Sequence, residues 1–255
     1  MEPAVRWNPR FPLCHAEEVM ETSPPRAEMP AFGQLLLAID TCGPTGSVAL
    51  ARLHDGQIQL LGQIELEGRS YSATLVTGVA DLLTQNHVEL SHLAAIVIVS
   101  GPGSFTGIRV GLSTVKGLAE PAQIPVVSVS RLEVLAWKSD IPSAAIDAHR
   151  NEIFLRLHSP ASPAREFLAS QAELAAIHPA PTRVAVCDEA AALLLNLAWP
   201  STELVRTPAP TAADALHLCA PRVTARQLID LAILDGHYLR RSDAEIFGEP
   251  AASRA

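Results

Sequence analysis

Leu35–Leu53 reads LLLAIDTCGPTGSVALARL, and Ser143–His158 reads SAAIDAHRNEIFLRLH. Each segment is an apolar run ending in Ala-Ile-Asp, then a polar turn, then a second apolar run. That pattern predicts two strands around a turn. Its appearance twice in one chain of 255 residues points to two related lobes, each opening on a hairpin.

Working outward from the first hairpin, QIQLLGQIEL follows the turn-forming HDG as a third strand, which makes a β-meander. Residues 70–85 carry Leu75, Val79, Leu82 and Leu83 at helical spacing. AAIVIVS (94–100) is a buried-strand run, 107–119 is a helix with Ile108, Leu112, Val115 and Ala119, and PVVSVS and a helix at 131–138 complete the first half. After the second hairpin come a helix at 170–177, the strand TRVAVC, a helix at 188–197, a loop marked by Pro208 and Pro210, and a long C-terminal helical region. Strands alternating with helices after an antiparallel opening predict an α/β fold. The expected organisation is an extension at 1–33, a first lobe at 34–138, a second at 139–247 and a disordered tail at 248–255. The extension holds six prolines and no apolar run, so it is expected to be disordered, or untranslated with a start at Met29; it lacks a signal-peptide core.

Lys and Arg number 19 against 27 Asp and Glu, a formal net charge of −8, and no basic block interrupts the acidic balance. Unaided nucleic-acid binding is therefore not expected, because it relies on clustered cations. The four cysteines are scattered without a C-x-x-C pair, which fits a reduced, cytoplasmic setting. No two of the nine histidines lie four apart, which excludes a histidine metal site built on one helix. No apolar run reaches membrane-spanning length.

Two motifs carry the chemistry to be weighed. Asp40 and Thr41 end the first strand ahead of a turn-rich tip, which loosely resembles the hairpin that in the actin, hexokinase and sugar-kinase superfamily wraps nucleotide phosphates with its backbone N–H donors while the aspartate holds a hydrated metal. In GPGSFTG, Gly101 and Gly103 supply unusual backbone angles, and Ser104 or Thr106 can cap the following helix or present its N-terminus to an anion. Gly107 and Gly111 then lie four apart on one helix face, so another backbone can approach there, either within the lobe or from a second protein.

AIDT…SVAL, GPGSFTGIRVGLSTVKGLA, IPVVSVSRLEVLA, AIDAHRNEIF and YLRRSDAE together resemble the bacterial TsaB family over about residues 34–247. The resemblance implies an actin-like ASKHA fold of two lobes, each a mixed sheet with helices. It also implies a non-catalytic companion of the TsaD enzyme, which with the ATPase TsaE makes threonylcarbamoyladenosine in tRNA. On this view the chain has no catalytic residue, metal or cofactor, and meets tRNA only through the complex. TsaD relatives carry a histidine-rich metal motif where this chain has Ser128, Ser130, Arg131 and Glu133. Helices 70–85 and 107–119 would dock on the partner through Tyr71, Leu75 and Gly78 and through Gly107, Val110, Gly111, Thr114 and Gly117. The same face, left without its partner, allows the chain to self-associate. Tyr71 stands where the family commonly has histidine, which keeps a packing role and drops proton transfer. Cys42 stands where phosphate-binding relatives of the wider superfamily have glycine. The rival reading is an ASKHA-type ATPase or kinase using Asp40, Thr41, Ser104 and Asp147, or a peptidase.

Overall fold

A computed structural model describes residues 33–67, 70–159 and 162–240. The expected extension, apart from Gly33, and the expected tail lie outside the described residues.

The three apolar runs form β1 (Gln34–Asp40), β2 (Thr45–His54) and β3 (Gln57–Glu67); α1 (Tyr71–Gln85), β4 (Leu93–Val99), α2 (Phe105–Ala122), β5 (Val126–Val129) and α3 (Arg131–Ser139) follow. The second half runs β6 (Ala144–Asp147), β7 (Glu152–Ser159), β8 (Ser162–Ser170), α4 (Gln171–Ala176), β9 (Arg183–Val186), α5 (Glu189–Ala198), β10 (Glu203–Arg206) and α6 (Ala212–Thr224). The first sheet has the order β3-β2-β1-β4-β5 and the second β10-β9-β6-β7-β8. Taken from the other end, the second order repeats the first. In both sheets the three hairpin-linked strands are antiparallel, and the two strands that follow are parallel to the first. The Ala-Ile-Asp echo is therefore a repeated topology, with Asp40 and Asp147 each closing the central strand of its sheet.

The last helix of each half crosses from the expected lobe, divided at 138/139, to the other sheet. Leu132 and Leu135 of α3 are buried with Ala144, Ile146 and Phe154 of the second sheet. Ala212, Ala215, Leu216 and Cys219 of α6 are buried in the core of the first. A helix has one apolar stripe and buries it on whichever sheet the connection can reach. For α6 the destination is fixed at its start, where Ala212 N–H donates to Ser47 Oγ at 2.8 Å and Ala213 N–H to Gln63 Oε1 at 3.1 Å. These are two of the N–H groups that a helix start leaves without an internal partner. The crossing helices are tied together by Lys138–Asp214 at 2.7 Å and by Arg222–Glu133.

Three further differences from the expected elements appear. β8 and β10 are additional strands, α2 begins at Phe105, and the helical C-terminal region ends at Thr224. Beyond α6 the chain runs back along the first sheet, where Ile229 N–H donates to Val126 O at 2.9 Å and His237 N–H to Ser100 O at 2.8 Å. No helix among the described residues is long and apolar enough to cross a membrane.

Candidate functional site

The two sheets meet over a cleft of about 430 Å³. One wall is the turn of the first hairpin with the Ser100–Ser104 loop, the other is the turn of the second hairpin with the start of α5, and the head of α3 lies between them. The first hairpin is held by backbone contacts. Ser104 N–H donates to Cys42 O at 2.8 Å, and Arg131 N–H donates to Gly101 O at 2.6 Å. Thr41 Oγ1 donates to Gly107 O at 2.7 Å. A side chain at Gly103 would collide with the Cys42 backbone, one at Gly107 with the Thr41 carbonyl, and one at Gly111 with the Thr41 hydroxyl. Gly103 also has φ +158 and Gly101 φ +123. The glycines of GPGSFTGIRVG thus let α2 lie directly on the end of β1.

Asp40 is 1% exposed. Its Oδ1 accepts the Cys42 N–H at 2.8 Å, and its Oδ2 lies 3.6 Å from Arg131 Nε. Burial pushes the Asp40 carboxyl above its ordinary value, more than the Arg131 charge and the Cys42 amide pull it down. Arg131, itself 3% exposed, lines the cleft and lies so close to Gly43 that a side chain there would collide with its guanidinium. The residues of the expected phosphate-loop set make their contacts within the chain as follows. Asp40 and Thr41 are engaged within the lobe, and Gly101 and Gly103 hold the loop against its neighbours. Ser104 caps α2 by accepting Gly107 N–H at 3.3 Å, while Thr106 is exposed. Across the cleft, Asp147 accepts the His149 N–H and pairs with its Nδ1, both at 2.8 Å. Asp188 accepts the Asp147 N–H at 2.9 Å and caps α5 by accepting Ala191 N–H at 2.7 Å. Burial pushes the Cys187 thiol up to about 11. Of the residues named for an enzymatic reading, Ser104 and Asp147 share the cleft lining.

The helix residues expected to meet a partner divide sharply. Tyr71, Leu75, Gly78, Gly107 and Gly111 are buried within the chain, Val110 and Thr114 are half-buried, and Gly117 is exposed. Tyr71 packs on Gly46 and its hydroxyl donates to Gly43 O at 2.8 Å, while Gly78 faces Leu66 of β3. Burial raises the Tyr71 phenol above its ordinary value, so a neutral packing residue is what the position holds. Within the chain, the buried five lie where each helix approaches its own sheet. The outward side of α1 carries Ala73, Val76, Thr77 and Ala80. Arg131 and the lobe-two wall of Cys187 and Asp188 were not named from sequence as site residues; nothing in SVSRLE signals that its arginine turns back onto Asp40.

Residues 64–170 match the family model described as TsaD, tRNA N6-adenosine threonylcarbamoyltransferase. The chain is 36% identical over 125 residues to the tRNA threonylcarbamoyladenosine biosynthesis protein TsaB of Escherichia coli, a stretch covering 47% of this chain and 52% of that one. It is 32% identical over 127 residues to TsaB of Bacillus subtilis, covering 48% and 54%. The chain thus spans about half the length of the curated relatives it matches. A solved Pseudomonas aeruginosa structure, described as an uncharacterized protein with similarity to peptidase YEAZ, superposes with TM-score 0.67 at 27% identity, over 81% of this chain and 100% of that one. Over about half of its sequence the chain is similar to bacterial TsaB proteins, and over most of its length it shares the two-lobed, actin-like α/β fold of the Pseudomonas aeruginosa structure.

Proposed function

We propose that this protein is the accessory subunit of a tRNA threonylcarbamoyladenosine-synthesising complex, binding and stabilising a TsaD-type catalytic subunit beside a TsaE-type ATPase, in the cytoplasm. The observation that carries the docking reading is Gly117. Inside a helix, glycine costs about 1 kcal/mol relative to alanine. The other α2 glycines are explained by Thr41, but a side chain at Gly117 would meet nothing within 4 Å. Its reason is then sought outside the chain, in a helix that comes close. The neighbouring surface suits such a contact: Val76 is 58% exposed on α1, among Ala73, Thr77 and Ala80, with Val110 and Thr114 half-exposed on α2.

The non-catalytic part of the reading draws on Arg131. Its guanidinium covers Gly43 and pairs with Asp40, the two positions through which this hairpin would hold a phosphate and its metal. A fixed cation of the chain itself fills that place, which disfavours an ATPase or kinase using Asp40 and Thr41.

Calorimetric titration of the full chain against the TsaD-type protein of the same organism tests the docking face. Val76→Arg is expected to weaken binding by about 2 kcal/mol or more, the scale of a hot-spot loss in an interface burying about 800 Å² per partner. Its own unfolding should shift by less than about 0.5 kcal/mol, as for exposed positions. Unchanged affinity in Val76→Arg and Gly117→Leu would sink the reading.

A further inference from the structure

On the side of α2 away from α1, the chain between Leu234 and Tyr238 leaves a groove of about 370 Å³. Phe105 and Tyr238 meet at its end with ring centroids 4.8 Å apart and planes tilted by 44°, and the Arg109 guanidinium lies 3.9 Å over the Phe105 ring. Ser113 and Lys116 continue the same edge of α2, and Asp235 stands on the opposite rim. Arg109 and Lys116 are set apart from most cations of the molecule. Arg131, Lys138, Arg156, Arg183, Arg206, Arg222 and Arg240 each pair with a carboxylate, whereas neither Arg109 nor Lys116 does so among the described residues. Two cations against one carboxylate make the groove locally positive on a chain whose formal net charge is −8.

We infer that this groove is a contact site for single-stranded RNA, taking an unpaired stretch of the tRNA. The inference rests on the tRNA-modifying reading above. Aromatic rings with a stacked guanidinium at the end of a cationic edge supply what an unpaired nucleotide requires: a face to stack on and charge for its phosphates. The seven-residue spacing of Arg109 and Lys116 separates them by about 10 Å along the helix axis, so they address different phosphates of one extended strand. An acidic protein segment would use the cations and leave the aromatic pair without a role. The shortage of clustered cations elsewhere means the contact is weak by itself and adds to binding by the rest of the complex, so the chain positions RNA delivered to it.

The test is fluorescence anisotropy of a fluorescein-labelled twelve-nucleotide single-stranded RNA with the full chain, beginning at about 20 mM salt and repeated across a salt series. Wild type is expected to bind in the range of about 10⁻⁴ M or tighter at low salt, as non-specific nucleic-acid contacts do. The double variant Arg109→Ala, Lys116→Ala should lose at least about tenfold, and its log–log salt slope should fall by about 1.4, or 0.7 for each phosphate contact removed. Tyr238→Ala should lower affinity by about tenfold through lost stacking with the slope unchanged. Circular dichroism melting checks that each variant is folded. No RNA binding by wild type, a double variant that binds like wild type, or equal binding of a labelled poly-glutamate peptide would each overturn the inference. Val76→Arg should leave RNA binding intact. Loss of partner binding without loss of RNA binding, or the reverse in the double variant, therefore separates failure of one reading from failure of the other.

Discussion

The two Ala-Ile-Asp hairpins occupy the same place in sheets of the same strand order, yet they are secured by different means. In the first lobe backbone meets backbone, with Ser104 N–H on Cys42 O and the Gly107 backbone close against the Thr41 carbonyl, where the Thr41 hydroxyl also donates to Gly107 O. In the second lobe the chain passes from β9 through Cys187 straight into α5, and one carboxylate, that of Asp188, spans the gap to Asp147. Asp40 is sealed in with Arg131, whereas Asp147 pairs at the surface with His149, whose side chain is 86% exposed. The difference teaches what glycine does here. Contact between two backbones leaves no room for adjustment, while a side-chain bridge can be lengthened, exchanged or replaced by water.

The largest expected effect follows from the tighter lock. Gly107→Val would drive a branched side chain into the Thr41 carbonyl, with the buried Tyr71 ring close on another side, so the backbone itself would have to shift. A loss of about 4 kcal/mol or more is expected, at the upper end of overpacking costs, read from denaturant unfolding of the full chain. A near-neutral result would mean that the lobe-one hairpin is as adjustable as its counterpart, and the contrast would collapse.

The two hairpins and the meander of the first were legible because apolar runs with a shared Ala-Ile-Asp ending report burial directly. β8 was not. Ser162–Ser170, SPAREFLAS, has no clean alternation, and it is a strand because β7 pairs with it from Glu152 to Leu157. β10 is only four residues long. The exchange of α3 and α6 between the sheets could not be read either, because an apolar stripe says that a helix is buried and not against which sheet. The glycines of α2 were recognised as sites of close approach, but spacing alone does not say whose backbone approaches. For Gly107 and Gly111 it is the chain's own, and Gly117 is left as the outward one. Arg131 was noticed in sequence only for what it replaces, since its partner, Asp40, is brought to it by the fold.

The seam between the lobes offers an intermediate effect. Glu166 of β8 accepts from Ser130 Oγ at 2.5 Å and from Arg156 Nη1 at 2.6 Å, and lies 2.8 Å from His237 Nε2. It thereby joins the second sheet to the head of α3 and to the C-terminal segment. Burial alone would raise its pKa, but the hydrogen bonds from His237, Ser130 and Arg156, with the Arg156 charge, hold it below the ordinary 4.5. A carboxylate with a depressed folded value stabilises fully above its unfolded value. That contribution is lost as pH falls below about 4.5 and through the folded value. Glu166→Gln is expected to cost about 2 kcal/mol at pH 7 and to flatten the acid limb of the stability curve. Parallel melts of wild type and variant from pH 7 to pH 3 measure this, and an equal gap at both ends would show that the charge is irrelevant to the seam.

The smallest effect belongs to the lobe-two lock and completes the contrast. Asp188 does two jobs with its two oxygens: Oδ1 caps α5 through Ala191 N–H, and Oδ2 accepts the Asp147 N–H. Removing it exposes both donors, but they border a cleft that water can enter, so solvent takes over part of each bond. Asp188→Ala is accordingly expected to cost about 1 kcal/mol, the usual worth of a helix cap, and Asp188→Asn only a few tenths, since the amide oxygen still caps. The bond to Asp147 supplies the sharper measurement. Amide hydrogen exchange at Asp147 should accelerate in Asp188→Ala while that of Ser104, whose N–H is held by the Cys42 carbonyl, stays as in wild type. If both amides accelerated together, the two hairpins would be one cooperative unit across the cleft, and the difference between a backbone lock and a side-chain bridge would carry no separate energy.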